Sequence, residues 1–350
     1  MKKRIALIFG GSGKEHEISC LGAKNLYSLI DKRLFSVLPI GISKSGEWFI
    51  YKGKGEISKK IFEQRRDLTP TWPARLDGKS GFLSGGRVIG VHAAFPLLHG
   101  DLGEDGVIQG ALSAAGIPFV GCKTLAGALA ADKITAKLIA SHLGIPTVES
   151  LCKTVPCESD EELAMLADQA EERVGYPMFI KPSGLGSSIG ASPVFSREGF
   201  YEAYTAASRL GDGRVLIEKF IQDRRELECA YMKTGKIPLI APPAEVDTGG
   251  GFYSFEEKYS KNSHARLFEK ADIDVKIAEK IVGYTARLAE FIGCTGLARV
   301  DFFLSGGKIY FNEINTMPGM TNSSLWLSII ERCGIPKTDA VTRLILSATK

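Results

Sequence analysis

Ala298-Arg299-Val300-Asp301-Phe302-Phe303-Leu304, Ser305-Gly306-Gly307, Lys308-Ile309-Tyr310-Phe311-Asn312-Glu313-Ile314-Asn315 is the stretch that decides how this chain folds. Apolar and polar residues alternate on either side of a glycine turn, the period-two signature of a β-hairpin with one buried face. A three-residue turn at Ser305 to Gly307 sets Leu304 opposite Lys308 and predicts that Arg299, Asp301, Glu313 and Asn315 project from one face. An even-numbered turn without a bulge would put Asp301 and Glu313 on opposite faces. On a shared face, Asp301, Glu313 and Asn315 supply the one or two carboxylates and the amide oxygen that Mg²⁺ accepts beside water and phosphate. Arg299 adds a planar fork for a charged oxygen. Any one of these residues is equally well read as a paired charge on an edge hairpin. Four together, followed by Thr316-Met317-Pro318-Gly319, favour a site for a metal and an anion.

Working outward, Phe179-Ile180-Lys181-Pro182-Ser183-Gly184-Leu185-Gly186-Ser187-Ser188-Ile189-Gly190 reads as a strand ending in a lysine, followed by a glycine- and serine-rich loop. Glycines let backbone N–H groups approach phosphate oxygens, Ser187 and Ser188 add hydroxyls, and Lys181 adds a point charge. The spacing fits neither the dinucleotide fingerprint nor the Walker A loop. Gly10-Gly11-Ser12-Gly13-Lys14-Glu15 near the N-terminus fits neither as well, and a lone glycine turn is usually only a turn. The acids of Glu15-His16-Glu17 at a helix start are most simply caps, with recognition of an ammonium group as the alternative. Glu218, at the end of the strand Leu216 to Phe220, and Glu226 beyond a short polar linker suit a hinge that binds a purine and a ribose. Taken alone, they are better read as a surface ion pair; their position between the lysine loop and the acidic hairpin adds weight to the hinge.

The chain has 350 residues, 44% hydrophobic and 24% charged, the size and composition of two or three packed α/β subdomains. The net charge of +4 is spread without a basic block, which argues against nucleic acid as a partner. No apolar run approaches the roughly 18 residues that span a bilayer, and Gly10-Gly11 ends the first apolar run before a signal-peptide core forms. The seven cysteines are scattered without metal-ligand spacing and suit free thiols. No membrane association and a cytoplasmic location are therefore expected. Strand and helix patterns alternate to about residue 130, a helix-strand-loop-strand unit runs over 131–225, and strands with a long helix fill 226–350.

These stretches, in this order, resemble the D-alanine–D-alanine ligase family of the ATP-grasp fold over nearly the whole chain. The marks are Phe9-Gly10-Gly11-Ser12 with Glu15 to Ser19, Leu98-His99-Gly100 with Gly103-Glu104-Asp105-Gly106, and Asp132-Lys133. Lys181 through Ser188, Glu256-Glu257-Lys258-Tyr259, Arg299-Val300-Asp301, Asn312 to Thr316 and Pro318 to Thr321 complete them. The resemblance implies an α/β, three-subdomain ATP-grasp architecture: an N-terminal open α/β substrate-binding subdomain (1–130), a central lid (131–225) and a C-terminal catalytic subdomain (226–350). It further implies that ATP, with Mg²⁺ or Mn²⁺ as two ions, phosphorylates the carboxylate of one D-alanine, and that a second D-alanine attacks the acyl phosphate.

In such ligases Lys133, Lys181 and Ser188 would grip the phosphates, Glu218, Lys219 and Phe220 would surround adenine, and Glu226 would meet the ribose, with Asn312 completing the nucleotide contacts. Glu15 would hold the first ammonium group in a hydrogen-bonded set with Ser187 and Tyr259, and His99 would line that subsite. Arg299 and the backbone of Gly319 would stabilise the tetrahedral intermediate. Ser324 and Leu325 would receive the second carboxylate, and Lys258 would approach the transferred phosphate from a lid over about 247–262. Tyr259, Tyr253 and Leu325 favour D-alanine over D-lactate or D-serine as second substrate. Two departures from the family pattern stand out: the linker Ile221 to Arg225 is one residue longer, which leaves Glu228 as the alternative ribose ligand, and Ser323 replaces a common histidine. A homodimer is expected by analogy. The rival readings are another ATP-grasp ligase, a nicotinamide oxidoreductase and a non-catalytic nucleotide-binding regulator. Glu15, Tyr259 and Ser324 disfavour the first, the missing fingerprint the second, and the complete set Asp301, Glu313 and Asn315 the third.

Overall fold

The computed structural model describes residues 2–53, 57, 62, 67–248 and 266–349. The apolar run after Lys3 forms β1 (Lys3–Gly10), whose last six residues are all buried, as a strand flanked on both sides requires. Behind it come α1 (His16–Leu29), β2 (Phe35–Ile42), β3 (Trp48–Tyr51) and β4 (Leu68–Pro70). A separate antiparallel sheet of β5 (Trp72–Leu76), β6 (Lys79–Ser84) and β7 (Arg87–Gly90) follows, and then β8 (Ala93–Pro96) returns beside β1. The first sheet has the order β4-β3-β2-β1-β8, with β1 parallel to both neighbours.

Three helices lead out of it: α2 (Val107–Ala114), α3 (Thr124–Ala131) and α4 (Lys133–His142). The second sheet is built from β9 (Ser150–Lys153), β10 (Met178–Pro182), β11 (Ser192–Val194) and β12 (Val215–Lys219), in the order β11-β10-β12-β9, all antiparallel pairs. Its apolar cluster draws on α5 (Asp160–Arg173) and α6 (Arg197–Ser208). Both helices begin with a serine whose hydroxyl accepts a backbone N–H, Ser159 from Glu162 and Ser196 from Gly199.

The third sheet comprises β13 (Arg225–Lys233), β14 (Leu239–Ile240), β15 (Ala244–Asp247), β16 (Arg266–Phe268), β17 (Gly296–Ser305) and β18 (Lys308–Asn315). Its main path is β16-β15-β13-β17-β18. The long helix α7 (Val275–Ile292) packs with α3 and α4 into one apolar cluster containing Val300, Phe302, Phe311 and Ile314. The last helices, α8 (Leu325–Arg332) and α9 (Lys337–Ala348), share a second cluster with β1, β8 and β13, so the first and third sheets are joined by apolar packing. Trp326 is fully buried there and donates its indole N–H to Ala298 O at 3.0 Å.

The hairpin differs from the three-residue turn predicted above. The last pair is Ser305 with Lys308, and Leu304 faces Ile309 rather than Lys308. Gly306 and Gly307 form a two-residue turn with φ of +54° and +75°, the left-handed backbone that a type I′ turn demands. Such a turn would send Asp301 and Glu313 to opposite faces, but the register shifts between Asp301 and Phe302, and Asn312 is left opposite no residue of β17. Beyond this bulge Asp301 pairs with Glu313 and Arg299 with Asn315.

A Cβ added at Gly306 meets no described atom within 4 Å, so the chief cost of a substitution is that of the left-handed backbone. Gly306→Val is expected to lower unfolding free energy by about 1–2 kcal/mol, read as a lower urea midpoint with an unchanged denaturant slope; an unaltered midpoint would contradict the assigned turn.

Candidate active site

On β17 the residues at 298, 300, 302 and 304 are buried, and Arg299, Asp301 and Phe303 face the other way. The bulge puts Asn312 and Glu313 together with Asn315 on that same open face. The neighbouring β13 adds Glu228 opposite Asp301 and Glu226 opposite Phe303. Arg299 donates to both oxygens of Asp301, from Nε and Nη2 at 2.7 Å each, and its Nε lies 3.4 Å from Glu228 Oε2. Asn315 Nδ2 donates to Asp301 Oδ2 at 3.1 Å. Burial opposes the charge of Arg299, but Asp301 and Glu228 outweigh it and keep the guanidinium protonated.

Among the described residues no three His, Cys, Asp or Glu side chains cluster as a complete metal cage would require. Mg²⁺ is commonly held by one or two carboxylates with phosphates and waters completing its shell. Asp301, Glu313 and Asn315 are hard oxygen donors on one face and fit that partial set.

Beside this face lies a cavity lined by Lys133, Phe179, Lys181, Ser188, Glu218, Lys219, Phe220, Glu226 and Phe303, with Asn312 and Glu313 on the wall it shares with the acidic face. Asp132 caps α4 by accepting from Thr135 N at 2.8 Å, is also bonded by the Ser183 hydroxyl, and is met by Arg214 at 3.2 Å. These bonds fasten the start of α4 to the end of β10, which brings Lys133 and Lys181 into one cavity. Lys133 Nζ donates to Leu185 O at 2.6 Å and lies 3.3 Å from Glu313 Oε2. Lys181 Nζ is 2.5 Å from Glu218 Oε1 and donates to Asn312 Oδ1 at 3.3 Å. Burial would push the Glu218 carboxyl up, yet Lys137, 3.0 Å from Oε2, and Lys181 reverse this and hold it at about 2.

A second cavity extends from the acidic face to Glu15, His99, Ser187, Gly319, Ser324 and Leu325. Glu15 occupies the N-cap position of α1 but makes no capping bond. The residue is 6% exposed and its carboxylate is bonded by the Ser187 hydroxyl from the loop after β10, so the cap reading fails for it. Glu17, by contrast, is only a surface partner of Lys44 at 2.7 Å. Gly100, at φ +64°, lies so close that a Cβ there would meet Glu15 Oε2 at 2.4 Å. Ser187 and Ser188 adopt φ of +50° and +59°, strained values for residues other than glycine. Burial pushes the His99 pKa down; its Nδ1 lies 3.2 Å from Met317 O, and its buried Nε2 has no hydrogen-bond partner among the described residues. Ser324 precedes α8, and its hydroxyl accepts from Thr321 N at 3.0 Å. A Cβ at Gly319 would meet that hydroxyl at 2.7 Å.

Tyr253, Lys258 and Tyr259, and with them most of the expected lid, lie outside the described residues. Of the two ribose candidates, Glu226 lines both cavities and Glu228 lines the second, beside Arg299. Sequence reasoning missed Lys137, although it sits one helical turn after Lys133 on α4 and was within reach of that signal. It also gave no role to Glu104, which accepts from Gly100 N at 3.0 Å and Met317 N at 3.2 Å and so ties the first sheet to the loop after β18.

Burial, with Glu15 nearby, pushes the Glu104 carboxyl up to about 8 from an ordinary 4.5. Between those values the unfolded chain gives up a proton that the folded protein keeps, so this group lowers stability as pH rises. The difference in unfolding free energy between wild type and Glu104→Gln is expected to shift against wild type from pH 5 to pH 8; a pH-independent difference would rule out a neutral Glu104.

Comparisons with known proteins bear on this arrangement. The D-ala D-ala ligase N-terminus profile matches residues 4–122 and the D-ala D-ala ligase C-terminus profile matches residues 139–346. A D-alanine–D-alanine ligase of Acetivibrio thermocellus is 37% identical, covering 98% of this chain and 95% of that protein. One from Deinococcus radiodurans is 36% identical over 99% and 98% of the two chains. Among solved structures, the VanG D-Ala:D-Ser ligase of Enterococcus faecalis superposes with a TM-score of 0.87 at 34% identity, covering 99% of this chain and all of that one (100%). D-alanyl-alanine synthetase A of Vibrio cholerae gives 0.84 at 32% identity, with 99% and 98% coverage.

Proposed function

The chain belongs to the D-alanine–D-alanine ligase family, and from that premise we propose how its own residues carry out the reaction. Its α/β fold is the ATP-grasp fold. The protein is an ATP-dependent ligase that joins two D-alanines into D-alanyl-D-alanine, a peptidoglycan precursor. The observation that carries the site assignment is the buried Glu15 carboxylate, which forgoes its helix cap and reaches the Ser187 loop in the same cavity as Arg299.

In this reading ATP lies between the second and third sheets. Phe179, Phe220 and Phe303 flank adenine, Glu218 and Lys219 meet its edge, and Glu226 takes the ribose. Lys133, Lys181 and the Ser188 loop hold the phosphates, with Asn312 fixing Lys181. Asp301, Glu313 and Asn315 hold Mg²⁺ or Mn²⁺, two ions in all, which neutralise charge on the triphosphate when bound. Glu15 anchors the ammonium group of the first D-alanine, and His99 lines its pocket. The carboxylate of that D-alanine attacks the γ-phosphorus, giving ADP and D-alanyl phosphate. The amine of the second D-alanine, its carboxylate set on Ser324 and the N-terminus of α8, attacks the acyl carbon. Arg299 and the Gly319 N–H stabilise the oxyanion, and phosphate leaves as the peptide bond forms. The protein acts in the cytoplasm as a homodimer, and its functional divisions are 1–130, 131–225 and 226–350.

A second reading, D-serine at the second subsite, draws on the similarity to the D-Ala:D-Ser ligase. Leu325 opens α8 as a buried apolar side chain with no group to bond a serine hydroxyl, which favours D-alanine.

Phosphate release from ATP is expected with D-alanine alone, to be no faster when D-serine or D-lactate is added, and to be absent with L-alanine; release that needs D-serine would transfer the assignment to the second reading. Glu313→Gln is expected to raise the Mg²⁺ concentration for half-maximal turnover by at least about tenfold. An unchanged metal requirement would remove Glu313 from the ligand set.

A further inference from the structure

Arg224 lies in the linker between β12 and β13 and lines the cavity assigned above to the nucleotide. Its side chain is only 12% exposed. The guanidinium carbon lies 5.0 Å from the centroid of Phe220 and 5.2 Å from that of Phe303, so the planar cation bridges one ring from the end of the second sheet and one from the third. Nη1 donates to Ile221 O at 3.1 Å, which closes the linker on itself. Nε, at 3.2 Å, and Nη2, at 3.1 Å, both reach Oε1 of Glu226. Every polar contact of this side chain is therefore spent on shaping the linker or on holding one carboxylate oxygen in place.

We propose that Arg224 is a positioning residue that sets sugar specificity at the nucleotide site, by fixing the Glu226 carboxylate in the orientation that recognises the ribose hydroxyls. The inference rests on the placement of the ribose at Glu226 made above. A guanidinium held between two rings and bonded twice to one oxygen leaves that carboxylate little freedom of rotation. Lysine at this position keeps the charge but lacks the fork and the stacking plane. A hydrogen bond between a sugar hydroxyl and a fixed carboxylate is charge-assisted, and losing it costs about tenfold or more in affinity.

The experiment compares ATP with 2′-deoxy-ATP in the full-length enzyme, wild type against Arg224→Ala, Arg224→Lys and Glu226→Gln. The wild type is expected to prefer ATP by about tenfold in kcat/KM. In Arg224→Ala the preference should fall below about threefold through a higher KM for ATP, with kcat and the KM for D-alanine within about twofold of wild type. Arg224→Lys should fall between the two, and it stands in for the alanine variant should that one fail to fold. Full preference retained in either arginine variant would overturn the proposal, since a merely structural linker residue would raise both nucleotides' KM equally. Undiminished preference in Glu226→Gln would instead remove the ribose assignment itself. Loss in Glu226→Gln with retention in Arg224→Ala would leave that assignment standing and reject only the role of Arg224.

Discussion

A β-strand alternates its side chains between two faces, so a pair of strands joined by a tight turn can gather their charged residues only if the register is right. Here the turn alone would have scattered them. Gly306 and Gly307 close the hairpin with an even number of residues, and a single unpaired residue, Asn312, restores the phase. Up to the bulge, β18 buries Ile309 and Phe311; after it, the strand buries Ile314, and Asn312 and Glu313 stand side by side on the open face. Bulges are devices that re-aim side chains, and this one performs two tasks. It aligns Glu313 and Asn315 with Asp301 and Arg299, and it sends Asn312 towards Lys181 in the adjoining cavity.

Gathering charges creates the next problem, since buried charges are costly unless paired. Five acids of this cleft lie beside a cation: Asp301 and Glu228 share Arg299, Glu226 has Arg224, Glu313 has Lys133, and Glu218 lies between Lys137 and Lys181, while Glu15 is bonded by the Ser187 hydroxyl. Glu104, which accepts only from backbone N–H groups, instead holds its proton up to about pH 8. In the proposed reading polyanionic ATP competes with these carboxylates for Lys133 and Lys181. In the proposed reading, divalent ions at Asp301 and Glu313 replace the cations that the phosphates draw away, which is why a partial oxygen set suffices there.

The sequence was legible where a pattern is local. Periodicity located the hairpin arms and a long helix within 226–350, because each depends only on its own run of residues. The turn type and the bulge were not legible. Three small polar residues permit either turn, and the choice is made by pairing across the sheet, where Phe302 meets Phe311 and Val300 meets Ile314 in a common core. The same limit applied to single acids. Glu15 and Glu17 are indistinguishable as helix-start residues, and only the chain brought in 172 residues later decides that one is buried against Ser187 while the other pairs with a surface lysine. Lys137 escaped notice because a lone lysine on a helix is ordinarily solvated; burial against Glu218 is a property of the assembled cleft.

Both catalytic subsites therefore hang on contacts between segments far apart in sequence, and those contacts pass through a small number of loops. The loop after β10 carries Ser187 to Glu15 of the first sheet, while its Leu185 carbonyl holds Lys133 of α4. Ser183, at its start, is stitched to the cap of that same helix. One short segment thus touches Glu15, Lys133 and the cap of the helix that carries that lysine. Its left-handed serines are tolerable because bonds at both ends over-determine the path. In the proposed reading the first D-alanine at Glu15 and the phosphates at Lys133 would both bear on this one backbone segment, which lies between them.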